Sequence, residues 1–181
     1  CKVIAIDPNL DRCNKAEELG IKSVCINQDQ NYSQIVSGYN NNEEVDAVLI
    51  TASSNSKKII NFSAEICRKR GRIVLIGVVG LDLDRDLFYK KELLFSVSSA
   101  YGPGRYDTDY EEKNLKYPIG FVRWTAKRNF ASILSLMSEN KINISNLITE
   151  EFLFDDIKKA YRAVENPNTM TVLINYSNNI S

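Results

Sequence analysis

A carboxylate that ends an apolar run is the first candidate for chemistry in this chain of 181 residues. Lys2-Val3-Ile4-Ala5-Ile6 stops on Asp7-Pro8, and a helix-like stretch starts at once in Asn9-Leu10-Asp11-Arg12. A short run of Val, Ile and Ala closed in this way reads as a buried parallel strand. In doubly wound sheets ligands bind beyond the carboxyl ends of the strands, where an acid can hold both hydroxyls of a ribose. Two hydrogen bonds to one ionised acceptor are geometrically specific, and charge-assisted bonds are roughly twice as strong as neutral ones. Asp7 therefore anchors a nucleotide-binding reading. The competing reading is an aspartate that only ends a strand or caps a helix. Two more strand ends carry small residues, Thr51-Ala52 and Gly77-Val78-Val79-Gly80. Small residues let a ligand lie close to the backbone, or simply serve a turn. Convergence of the three ends in one parallel sheet favours the ligand.

The elements that must position these residues follow from periodicity. Leu10, Cys13, Ala16 and Leu19 recur at helical spacing, and Gly20 stands where a glycine commonly ends a helix. Ile21–Ile26 reads as a second strand and Ser33–Tyr39 as a short helix, with a polar loop at Asn40–Glu44. Val45–Ile50 is nearly continuously apolar and predicts a third strand covered on both faces. Ser53 and Ser54 are plausible caps for a helix running to about Arg70, closed by Gly71. Ile73–Val78 predicts a fourth strand and Leu93–Ser98 one more. Tyr101–Arg128 has no clear period. Helices at Lys127–Glu139 and Asp155–Glu165 and a strand at Thr171–Tyr176 precede a polar tail. Lys90-Lys91 and Lys158-Lys159 read as solvated faces. Alternating strands and helices predict an α/β fold with right-handed crossovers.

Lys plus Arg and Asp plus Glu number 23 each, so no general electrostatic attraction to nucleic acid or a membrane surface is expected. The longest apolar runs are far too short to span a bilayer, and no secretory signal opens the chain. Cys1, Cys13, Cys25 and Cys67 form no CxxC pair, and with no histidine a zinc site has almost no ligands to draw on. A reduced, cytoplasmic globular protein is the expectation. The chain opens at Cys1 inside a strand pattern, without Met or a preceding turn, which reads as a fragment lacking its N-terminal portion. No G-x-G-x-x-G is present. If Lys2–Ile6 is the second strand of its sheet, that glycine loop lies upstream of Cys1.

Order and content together resemble the C-terminal half of a medium-chain dehydrogenase/reductase of the zinc-type alcohol dehydrogenase superfamily. The residues that carry the likeness are Val3–Pro8 with Arg12, Val45–Ala52, Gly71–Val78, Leu147–Phe152, Ile157–Tyr161 and Thr171–Leu173. Gly104-Arg105-Tyr106-Asp107, Tyr110-Glu111-Glu112, Tyr117–Gly120 and Val122–Thr125 are similar to a bi-domain subgroup fused to a Gfo/Idh/MocA-type domain. The resemblance implies a Rossmann-like doubly wound parallel sheet over residues 1–100, its first strand and glycine loop missing, then the C-terminal segment of the catalytic domain over 101–181. It implies an NAD-dependent oxidoreductase acting on an alcohol or sugar-type small molecule, often a homo-oligomer. Asp7 would bind the adenosine ribose and disfavour the 2′-phosphate of NADP, and Arg12 would reach the same ribose. Thr51, Ala52, Ile76, Gly77 and Val78 would line the track from adenine to nicotinamide. The family's zinc ligands and proton relay lie mostly in its N-terminal domain, so neither a catalytic residue nor a metal ligand is assigned here, and zinc is left to the complete enzyme. Arg105, Tyr106, Asp107, Tyr110, Arg123 and Trp124 could face a polyol, or pack as a surface loop. The alternatives are a methyltransferase using S-adenosylmethionine, or a non-catalytic nucleotide-binding or assembly module whose strands Leu93–Ser98 and Thr171–Tyr176 pair with another chain.

Overall fold

The computed structural model describes residues 1–26, 31–166 and 168–176. The polar tail after Tyr176 lies outside them. The chain forms two compact units, Cys1–Lys116 and Tyr117–Ser181.

The first unit opens with β1 (Ile4–Asp7), α1 (Leu10–Glu18) and β2 (Lys22–Cys25). Asn9 caps α1, its side chain accepting from the Asp11 and Arg12 N–H groups, and Gly20 turns the chain out of the helix at φ +78°. The two strands run parallel, with Ile4 opposite Lys22 and Asp7 opposite Cys25. The helix α2 (Tyr32–Tyr39), capped by Asn31, buries Val36.

A second parallel block follows, ordered β3-β5-β7 from β3 (Val45–Ile50), β5 (Cys67–Leu75) and β7 (Leu94–Val97). Two short strands, β4 (Ser53–Ser54) and β6 (Val78–Val79), pair in parallel just beyond the ends of β3 and β5. The core is Ile50, Ile60, Ala64, Cys67, Ile73, Leu75 and Val79, with Leu87, Phe88 and Phe95 packed against it. The helix α3 (Lys58–Ile66) supplies Ile60, Ser63 and Ala64 at i, i+3 and i+4, one buried stripe. The helix α4 (Arg85–Lys91), capped by Asp84, sets Phe88 edge-on to Phe95, ring centres 6.3 Å apart. A single turn, α5 (Thr108–Glu111), closes the unit. Among the described residues β1 pairs only with β2 and β3 only with β5, so each block keeps an open edge.

Several expectations are corrected here. Val45–Ile50 is covered on one face only: Val48 and Ile50 face the core, whereas Leu49 is 63% exposed. Ser53 and Ser54 do not cap a helix, because β6 takes them into a ladder. Ser54 Oγ instead accepts from the Ser56 N–H, and Ser56 Oγ accepts from the Lys58 N–H where α3 begins. The helix stops at Ile66 because Cys67 pairs with Val45 and adopts extended backbone. Gly71 closes no helix; a Cβ there would lie 2.3 Å from Cys67 Sγ and 2.8 Å from the Arg68 carbonyl oxygen.

Lys91 is not a solvated lysine. Its ammonium donates to Glu44 Oε1 at 2.7 Å, to the Glu65 carbonyl at 2.7 Å and to the Cys67 carbonyl at 2.8 Å. It thus satisfies carbonyls at the end of α3 and ties α4 to it. Removing it strands these acceptors, so Lys91→Ala is expected to lower stability by about 2 kcal/mol in urea unfolding. Lys90→Ala, its side chain largely in solvent, is expected to change little.

The second unit contains α6 (Ala126–Ser138), β8 (Glu150–Leu153), α7 (Ile157–Val164) and β9 (Val172–Asn175). The strands β8 and β9 pair in parallel, Glu150 opposite Val172, and α7 packs on both and buries Ala160. Phe154 stacks on Tyr176 with ring centres 5.0 Å apart.

Candidate nucleotide-binding site

Asp7 ends β1 with a partly buried carboxylate held from two sides. The Asn9 N–H donates to Oδ1 at 2.8 Å, and the Arg12 guanidinium lies 3.7 Å from Oδ2. The cap of α1 is Asn9, so the carboxylate is not consumed in capping. A carboxylate offers about four lone-pair sites, which leaves acceptor capacity beside both oxygens. The α1 N-terminus and Arg12 add positive potential beside these oxygens.

Thr51 and Ala52 follow β3, and Ile76, Gly77 and Val78 follow β5. The Ile76 and Gly77 N–H groups both donate to the Ile50 carbonyl at 2.9 Å, and the Val78 N–H donates to the Ala52 carbonyl at 3.0 Å. These bonds lock the two strand tips together. A Cβ on Gly77 would sit 2.1 Å from the Ala52 oxygen, so this glycine is required by the chain's own backbone approach. Around that tight seam Thr51 and Ala52 are exposed, and Ile76 and Val78 are 51% and 73% exposed. Apolar side chains presented beside open backbone suit the flat faces of a base or nicotinamide ring.

The structure therefore brings Asp7 together with Arg12, and Thr51 and Ala52 together with Ile76, Gly77 and Val78. No strand ladder joins the two groups among the described residues. Two side chains that sequence reasoning passed over also belong to the Asp7 turn. Cys13 Sγ donates to the Asp7 carbonyl at 3.4 Å and Cys25 Sγ to the Pro8 carbonyl at 3.7 Å. Burial, and then the neighbouring Cys25 thiol, push the Cys13 thiol above its ordinary value. The β1–β2 register sets Cys25 opposite Asp7, and the helical stripe of α1 turns Cys13 inward beneath it.

Of the polyol-facing candidates, Arg105, Tyr106, Asp107, Tyr110 and Trp124 have local partners, and Arg123 is exposed. Arg105 pairs with Glu111 and lies over the Tyr106 ring, Asp107 caps α5, and the Tyr110 ring covers the buried Gly104. In the second unit Arg128 lies over the Trp124 ring. The residues present do not fit zinc: the chain has no histidine, and among the described residues no three His, Cys, Asp or Glu side chains group as metal ligands. No described helix is long and apolar enough to cross a membrane.

Comparison with known proteins bears on this arrangement. The zinc-binding dehydrogenase family profile matches residues 1–116. A sorbitol dehydrogenase of Halalkalibacterium halodurans is 24% identical over 165 residues, covering 90% of this chain and 41% of that protein. Among solved structures, 2R,3R-butanediol dehydrogenase from Bacillus subtilis superposes with a TM-score of 0.70 at 18% identity, over 94% of this chain and 42% of its own. A short chain alcohol dehydrogenase from E. coli CFT073, in complex with NADH, gives 0.68 at 19% identity, over 96% and 44%. The chain thus spans about two fifths of the length of the relatives it matches. These structures share its fold, and with the profile extending over well more than half of its residues, the chain belongs to the zinc-binding dehydrogenase family, of the medium-chain alcohol dehydrogenase type.

Proposed function

We propose that this chain is the dinucleotide-binding part of an NAD-dependent oxidoreductase of the alcohol dehydrogenase type, acting on an alcohol or sugar-type substrate. The observation that carries the reading is the Asp7 carboxylate, oriented at a strand end by Asn9 and Arg12 with acceptor capacity to spare. When bound, a nicotinamide dinucleotide supplies the hydride chemistry, and the protein supplies binding and orientation. Asp7 accepts from the adenosine ribose hydroxyls and repels a 2′-phosphate, which favours NAD over NADP. Arg12 steadies that carboxylate. Thr51, Ala52, Ile76 and Val78 offer small and apolar surface for the rings, and Gly77 keeps the two strand tips in contact. The open edges of β1 and β3 each have room for one more parallel strand, and a strand ending in G-x-G-x-x-G there would deliver the pyrophosphate loop. Zinc and the proton relay belong, on this reading, to the complete enzyme, and these 181 residues alone turn over no alcohol.

Titration of the protein with NADH, NADPH and S-adenosylmethionine tests the reading. NADH is expected to bind most tightly. Preferential binding of S-adenosylmethionine would replace the dehydrogenase by a methyltransferase.

Among the described residues the strand β7 pairs only with β5, and it presents Leu94 and Val97 to solvent, which favours assembly of two copies through that edge. A concentration-dependent dimer in sedimentation is expected, weakened by Val97→Lys. A protein that stays monomeric across the micromolar range would remove this part of the proposal.

A further inference from the structure

Two thiols that the dinucleotide reading does not use lie beneath the Asp7-Pro8 turn. Cys13, from α1, is 3% exposed, and Cys25 ends β2 opposite Asp7 and is partly exposed. Their sulfurs converge on the consecutive Asp7 and Pro8 carbonyls of one turn, at 3.4 and 3.7 Å. Both are free cysteines. Cys67 differs, since its buried sulfur approaches the Asp46 and Arg72 carbonyls, and burial pushes its thiol up. Asp7 adds no third metal ligand to the pair among the described residues. Two facing thiols on adjacent elements, one reachable from solvent, are the arrangement that two-electron oxidation needs.

We propose that Cys13 and Cys25 form a reversible redox pair, a modification site that a peroxide-class oxidant converts to a disulfide. The accessible Cys25 thiolate attacks one peroxide oxygen, the O–O bond breaks, and Cys25 becomes a sulfenic acid while hydroxide departs and takes up the thiol proton as water. The Cys13 sulfur then attacks the Cys25 sulfur. The S–S bond forms, the S–O bond breaks, and the hydroxyl leaves as a second water with the Cys13 proton. Two thiols have lost two electrons, and hydrogen peroxide has gained them. A dithiol reductant reverses the step by exchange. Cys13 acts second because its sulfur is buried, whereas solvent reaches Cys25.

A disulfide needs an S–S bond of about 2.05 Å, so closure ties α1 covalently to the end of β2. It also withdraws both S–H donors from the Asp7 and Pro8 carbonyls. The consequence for ligand, which alone rests on the dinucleotide reading, is a displaced Asp7 and a weakened grip on ribose.

The test treats the protein with hydrogen peroxide, blocks remaining thiols under denaturing conditions and maps the peptides. A Cys13–Cys25 linked peptide is expected, lost on dithiothreitol treatment and absent in Cys13→Ser and Cys25→Ser. In Cys13→Ser, dimedone is expected to label Cys25. The Kd for NADH is expected to rise about tenfold on oxidation and to recover on reduction, the scale of one charge-assisted hydrogen bond. Cys13 and Cys25 remaining alkylatable at peroxide levels that oxidise Cys1, or Cys25 pairing equally with Cys1 or Cys67, overturns the redox pair. A linked peptide with unchanged NADH affinity overturns the effect on the ribose turn. Failure of the reduced protein to bind NADH overturns the dinucleotide reading instead, and the peptide map still decides the thiols.

Discussion

Gly77→Ala is expected to destabilise the protein by about 3 kcal/mol, among the largest effects of any single methyl group in this chain. The added Cβ would stand 2.1 Å from the Ala52 carbonyl oxygen and 2.8 Å from the Thr51 and Ala52 carbonyl carbons. All three neighbours are backbone, so no rotamer change relieves the overlap. The Ala52 oxygen is also the acceptor of the Val78 N–H at 3.0 Å. Moving it opens the β4–β6 ladder and loosens the cover over the buried Val79. The matched control is Gly38→Ala in α2, where a Cβ meets nothing within 4 Å. There alanine is expected to stabilise by up to about 1 kcal/mol through helix propensity and a smaller entropy cost. Urea unfolding of the two variants should thus move the midpoint in opposite directions. A Gly77→Ala midpoint equal to that of the parent would show that the tips of β3 and β5 are not held as tightly as their hydrogen bonds indicate.

That glycine shows what the sequence discloses and what it withholds. A glycine after an apolar strand is visible, and so is its place at a strand end. Its reason is not, because the atom it makes room for belongs to a residue 25 positions earlier, brought near by the β3–β5 register. Local signals read well: the Leu10-Cys13-Ala16 stripe, Gly20 at positive φ and the apolar run of β7 all became the elements their periodicity indicates. Signals that depend on distant partners mislead. Ser53-Ser54 looks like a helix cap until β6 takes it into a ladder, and Lys91 looks solvated until α3 places two carbonyls around its ammonium. The helix α4 is not legible in the sequence, because its one clear mark, Asp84 accepting from the Asp86 and Leu87 N–H groups, lies in a run with Asp82 and Asp86 that resembles a polar loop. The parallel α/β class survives such errors because alternation of strands and helices is a property of the whole chain, whereas a cap or an ion pair rests on a single neighbour.

Asp7→Asn is expected to reverse the cofactor preference, and both halves of that reversal follow from charge. The substitution preserves shape and leaves one carbonyl oxygen, so the Asn9 N–H at 2.8 Å keeps an acceptor and the turn persists. The ribose hydroxyls lose an ionised acceptor, which costs about 1.5 to 3 kcal/mol, so the Kd for NADH should rise roughly 10- to 100-fold. A 2′-phosphate, in contrast, no longer meets a like charge. It meets Arg12, whose guanidinium lies 3.7 Å from Oδ2. NADPH should therefore bind more tightly than before, and the effect should shrink as salt screens the partly exposed arginine. Asp7→Asn combined with Arg12→Ala should lose the gain for NADPH while keeping the loss for NADH. A carboxylate that served only to brace the strand end would behave differently. Its loss would lower stability in unfolding experiments and leave the ratio of NADH to NADPH affinity where it was. Titrating both cofactors against the single and double variants separates the two roles, because no bracing interaction distinguishes a hydroxyl from a phosphate.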